Sequence, residues 1–105
     1  MSVSLEIDWS NGSSESVPLG TLRTVRDDWG GIARELGLEL IPHFYEYIEP
    51  NAENLDQMLS EMTAFRAEVV RRGGEFEQYY VEKADSLIEA LERLKRSEGW
   101  SASIG

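Results

Sequence analysis

The stretch Ser2-Val3-Ser4-Leu5-Glu6-Ile7-Asp8-Trp9 alternates without interruption between polar and apolar residues, the period of two that lets a strand bury one face and wet the other. It predicts a strand over 2–9. Because the rest of the chain is patterned mostly for helices, this stretch decides for an α+β fold over an all-α one. The turn formers Asn11-Gly12-Ser13-Ser14 follow it. Val17-Pro18-Leu19 then predicts a short returning strand at a sheet edge, since proline cannot donate to an inner ladder.

Beyond the hairpin the period changes to that of a helix. From a cap at Thr21, Leu22, Val25, Trp29, Ile32 and Leu36 form one stripe that stops at Gly37. Gly30-Gly31 inside it costs ~2 kcal/mol relative to two alanines, so either the helix breaks there or another element approaches its backbone closely. Residues 38–50 contain Pro42 and Pro50 and the aromatics Phe44, Tyr45 and Tyr47. They read as extended, with a possible third strand near 43–48. Asn51 or Asn54 can cap a second helix over 52–72, striped by Leu55, Met58, Leu59, Met62, Phe65 and Val69 and ended by Gly73-Gly74. A third helix runs from Glu75 to about Ser97 on Phe76, Tyr80, Ala84, Leu87, Ile88, Leu91 and Leu94, with its bases late, as the helix dipole favours. The two-glycine link makes these last helices an antiparallel αα-hairpin. Met58 and Met62, at helical spacing, belong to the core. Glu98–Gly105 is expected to fray, which leaves one globular domain over 1–97 and a flexible tail over 98–105. The expected fold is α+β, a small sheet covered by three helices.

With 105 residues the chain suits one core, and with no cysteine it has neither disulfides nor thiolate chemistry. The N-terminal residues do not read as a signal peptide and no apolar run reaches membrane-span length, so the cytoplasm is the expected compartment and no membrane partner is expected. Asn11-Gly12-Ser13 matches a glycosylation sequon, which carries no weight without export. Ten bases against 20 acids give a net charge of −10, which disfavours nucleic acid as a partner. The charge is uneven: residues 1–62 hold 12 acids and 3 bases (−9), residues 63–105 hold 8 and 7 (−1).

Catalytic chemistry finds little support. His43 is the sole histidine, and a triad or a general-base mechanism would need it. His43, Glu46 and Glu39 offer an N,O,O metal set only if the stretch is helical, and it reads as extended. None of the 11 serines stands in a Gly-x-Ser-x-Gly setting, and neither Gly-Gly pair belongs to a phosphate-binding loop. Asp27-Asp28 and Glu75/Glu77 are ordinary solvated acids. No enzyme activity, metal or cofactor is expected.

What remains is the segment between Arg34 and Arg66, which has no base and seven acids: Glu35, Glu39, Glu46, Glu49, Glu53, Asp56 and Glu61. Phe44, Tyr45 and Tyr47 lie among them. Tyrosines in a field of one sign suit a recognition surface for a basic partner, because tyrosine anchors contacts at low entropy cost and the field speeds encounter. Tyr45, Glu46, Tyr47, Glu49, Glu53 and Asp56 are the candidate contacts. In size, acidity and the patch His43-Phe44-Tyr45-Glu46-Tyr47-Ile48-Glu49, the chain resembles the small acidic immunity proteins of bacterial toxin systems. That resemblance implies a cytoplasmic inhibitor that occludes a toxin domain, with a basic surface such as a nuclease active site as the expected target; the chain itself is expected to be a monomer or homodimer. The competing expectation is an assembly module that oligomerises through apolar faces of the second and third helices.

Overall fold

A computed structural model describes residues 1–105. It has a three-stranded antiparallel sheet of β1 (Ser2–Asp8), β2 (Ser14–Thr21) and β3 (Ser101–Ile104), in the order β2-β1-β3. The expected alternation holds: Val3, Leu5 and Ile7 are buried, while Ser4, Glu6 and Asp8 lie on the other face. The returning strand is an edge strand, and Pro18 stands opposite Ser4 just after a register shift at Val3/Ser4. Helices cover the inner face, giving an α+β architecture around one core of 21 apolar residues.

The third strand comes from the other end of the chain. Residues 98–105, expected to fray, are tied down: β3 pairs with β1 from Leu5↔Ile104 to Asp8↔Ser101, and Ile104 is fully buried. Gly99, at φ 72°, makes the turn into it, and a Cβ there would stand 3.1 Å from the Ser10 side chain, so the position favours glycine twice over. Trp100 docks half-buried, its indole Nε1 donating to the carbonyls of Leu94 (2.9 Å) and Ser97 (3.2 Å). It thereby gives the Ser97 carbonyl a donor and adds a second one to the Leu94 carbonyl, which the Ser97 N–H also reaches at 3.1 Å.

The first helix neither breaks at Gly30-Gly31 nor admits a neighbouring element there. A π-helical turn over Thr24–Trp29 runs directly into α1 (Gly30–Glu35). Thr21 caps the start, its hydroxyl accepting from the Thr24 N–H at 3.1 Å. Burial of Val25, Trp29 and Ala33, with Trp29 on Phe65 at 4.8 Å between ring centroids, offsets the glycine cost.

The long helices are α2 (Leu55–Arg72) and α3 (Glu77–Lys95). They pack side by side as the expected αα-hairpin, and Met58 and Met62 are wholly buried. Arg66 bonds Asp85 across the pair, and Arg93 of α3 bonds Glu15 of β2 while lying 5.6 Å from the Trp9 ring centroid. At the end of α2, Glu68 accepts from Arg71 and Arg72, which hold its carboxyl down to about 2. A depressed carboxyl contributes stability that is whole above its unfolded value of about 4.5 and vanishes as pH falls towards 2. Glu68→Gln should therefore melt below the wild type at pH 6 and meet it near pH 2. Melting curves at steps between those values check this, and a constant gap would refute it.

Candidate partner-binding face

The segment carrying the tyrosines is helical, not extended. Ile41–His43 forms a 3-10 turn that continues through Glu46, with Phe44 N–H bonded to the Ile41 carbonyl at 3.0 Å and Glu46 N–H to that of His43 at 3.1 Å. The expected strand near 43–48 shrinks to one bridge, Ile48↔Ile104. The cause lies in α2. Glu61, 5% exposed, turns its carboxylate onto the backbone N–H groups of Glu39 (3.2 Å), Leu40 (2.9 Å) and Ile41 (3.1 Å), and Gln57 Nε2 donates to it at 2.9 Å. It thus caps the open donors of the turn from a distance. Pro42 is tolerated because a first turn needs no N–H there.

The helical turn sorts the segment by face. Ile41 and Phe44 are fully buried, Tyr45 is half-buried, and His43, Glu46 and Tyr47 point outwards. His43 and Glu46 meet, Nδ1 to Oε2 at 3.1 Å, as helical spacing requires. No group of three His, Asp or Glu side chains is arranged to hold a metal ion. The Tyr45 hydroxyl donates to Glu46 (3.1 Å) and the Tyr47 hydroxyl to Glu49 (2.9 Å). Those bonds, to Glu46 and Glu49 respectively, raise both phenols above the ordinary tyrosine range, while bonds from His43 and then Tyr45 lower the Glu46 carboxyl.

The Ile48↔Ile104 bridge sets Tyr47 and Glu49 along the sheet edge. Because the two isoleucines face inwards, their neighbours Tyr47 and Glu49 face the outer side, with Ser103. Ser103 stands opposite Glu6, and Glu6 in turn opposite Ser16. Glu6 accepts from Ser4 and Ser16, both at 2.5 Å, and Asp8 from Ser14 at 2.8 Å. Bonds from Ser16 and then Ser4 lower the Glu6 carboxyl. One surface of serines and carboxylates therefore runs across the whole sheet to Tyr47, which is 58% exposed.

The first turn of α2 adjoins this surface. Asn51 and Asn54 cap it reciprocally: Asn51 Oδ1 accepts from the N–H of Glu53 and Asn54, and Asn54 Oδ1 from that of Asn51. Glu53 is exposed, whereas Asp56 is held by Lys95 at 2.8 Å. A cleft of about 670 Å³ opens beside them, lined by Glu49, Asn51, Asp56, Lys95, Glu98 and Trp100 among others.

The seven-acid segment therefore divides. Glu61 is structural, Glu35 is bonded to Arg72 near the far end of α2, Asp56 is neutralised and Glu46 is shared with His43. Glu6 and Asp8, outside that segment, join the face, and neither they nor Glu49 and Glu53 makes an ion pair. The alternation of residues 2–9 already placed Glu6 and Asp8 on the wet side. Their continuity with Tyr47 depends on β3, which the sequence did not announce. No helix is long and apolar enough to cross a membrane. No family model matches the chain, and neither the curated proteins nor the solved structures contain a match to it.

Proposed function

We propose that this chain is a non-enzymatic, cytoplasmic inhibitor of the immunity-protein kind, which occludes a basic surface of a toxin domain such as a nuclease active site. The observation that carries the reading is Tyr47, an exposed aromatic bonded to Glu49 on a face where Glu6, Asp8, Glu49 and Glu53 have no cationic partner. Unpaired carboxylates around a tyrosine are suited to arginines and lysines that would otherwise hold substrate phosphates. The cleft beside Trp100 offers room at the rim for a long basic side chain.

The test is capture of partners from source-cell lysate on the immobilised protein at low and high salt, followed by co-expression with the captured protein. The wild type should retain one basic protein and rescue cells from it, and Glu46→Lys/Glu49→Lys/Glu53→Lys should do neither. With the partner in hand, the same reversal should slow association ~10-fold or more and flatten its salt dependence. Tyr47→Ala should cost ~2 kcal/mol of binding. Retention of the same protein by the charge-reversed variant would sink the proposal.

A further inference from the structure

The cleft at the first turn of α2 is walled on one side by an open strand edge. Ser4 and Gly105 exchange backbone bonds of 3.3 Å in both directions, so Gly105, Ser103 and Ser101 turn their N–H and C=O groups towards β1, while the alternate residues Ile104 and Ala102 turn theirs away. Ile48 answers Ile104 with bonds of 2.8 and 2.9 Å. The next antiparallel partner along that edge would set position 50 opposite Ala102, and position 50 is a proline. Without an N–H it cannot donate to the Ala102 carbonyl, and no backbone bond reaches either outward group of Ala102. The ladder stops there and gives way to the cleft of about 670 Å³, which Glu49, Pro50 and Asn51 line from one side and Trp100, Ser101 and Ala102 from the other.

We infer that this edge takes an extended, basic segment of the protein partner, which adds to β3 as a further strand by pairing with Ala102 and lays its arginines or lysines along the cleft. The inference deepens the proposed function and rests on its reading of a basic partner. The backbone selects the form of the occupant, because an N–H and a C=O side by side on a strand edge are matched by another main chain. Charge selects its sign. The ionisable groups lining the cleft are Glu49, Asp56 and Glu98 against Lys95. Lys95 is taken by Asp56 at 2.8 Å, and no ion pair engages Glu49 or Glu98. Two carboxylates are therefore left to attract cations, and a second copy of the chain, at net charge −10, is repelled by them. Leu55, Leu94 and Trp100 line the cleft between the acids, where the apolar stems of long basic side chains can pack. Glu49 belongs both to the cleft and to the Tyr47 face, so one partner can cover the two together.

The test needs no partner in hand. Its probe is a short peptide of alternating arginine and valine, blocked at both ends and titrated to ~5 mM, the range of a weak contact, into isotope-labelled protein followed by nuclear magnetic resonance. The Ala102 amide signal should shift and its hydrogen exchange should slow as the peptide saturates. N-methylation of every peptide nitrogen keeps the charge and removes the donors, and should weaken binding at least tenfold. Ala102→Pro removes an N–H that bonds nothing within the chain and should weaken binding likewise; the methylated peptide tests the same pairing without altering the protein. Glu98→Lys should weaken binding through charge alone. A wild type that ignores the peptide, shifts confined to the Glu6 and Asp8 face, or a methylated peptide that binds as tightly would each overturn the inference. Lysate capture remains the separate test of the inhibitor reading. A protein that captures a basic partner while Ala102 ignores the peptide keeps that reading and loses the added strand, and one whose Ala102 pairs with the peptide while nothing is captured keeps the strand and loses the inhibitor.

Discussion

A chain ending at Trp100 is expected to lose its cooperative fold. Ile104 is fully buried beside Leu5, and replacing such a residue with alanine alone costs ~3 kcal/mol. Deletion of 101–105 also removes the β1 pairing, the two bonds between Ile48 and Ile104 at 2.8 and 2.9 Å, and the Ser4–Gly105 pair at 3.3 Å. The total should exceed ~5 kcal/mol, comparable with the whole stability of a small domain. β1 would become an unprotected edge strand, and the truncated chain should aggregate as well as unfold. Urea titration followed by circular dichroism decides the matter. A cooperative transition at the wild-type midpoint would show that the terminal strand is only an ornament of the sheet. Ile104→Ala in the full-length chain, expected to keep the fold with a midpoint lowered by the single-residue cost, separates the buried side chain from the backbone pairing.

That terminal strand also marks where the sequence stops being legible. β1 and the long helices are readable because each carries enough apolar positions at a fixed period to outvote its polar neighbours. In Ser101-Ala102-Ser103-Ile104 the inward positions are an alanine and one isoleucine, after a turn of Glu98-Gly99. Four residues with one large apolar side chain give no period to detect, and their strand character comes from the vacant edge of β1, a property of the tertiary fold. Residues 38–48 fail for the converse reason. Proline and aromatics there favour extended backbone locally, but a carboxylate 20 positions further on takes the N–H groups that a turn exposes. The candidate contacts inherit both effects. Tyr47, Glu49 and Glu53 stand where a recognition face needs them, Tyr45 is half-buried and bonded to Glu46, Asp56 is neutralised by Lys95, and Glu6 and Asp8 enter only because β3 bridges the sheet to Ile48.

Glu61 is where charge counting and structure part most clearly, and its removal should have the largest effect of any single acid. Glu61→Ala leaves the N–H groups of Glu39, Leu40 and Ile41 without acceptors in a part-buried setting. Even if water recovers part of the loss, ~3 kcal/mol is expected, or a fall in melting temperature of roughly 12–24 °C. Glu61→Gln keeps one acceptor oxygen but turns an amide NH2 towards donors, and should lose ~1–2 kcal/mol. A loss below ~0.5 kcal/mol in the alanine variant would mean the carboxylate is an ordinary surface acid. Amide exchange gives the local readout: protection at Leu40 and Ile41 should drop by ~100-fold, as ~3 kcal/mol implies, ahead of any change in α3. Reversing Glu46, Glu49 and Glu53 should leave that protection untouched while abolishing partner capture. Glu61→Ala should weaken capture as well, although the side chain is only 5% exposed, because the turn it caps carries His43 to Tyr47. The two sets of variants thus distinguish an acid that builds the face from acids that are presented on it.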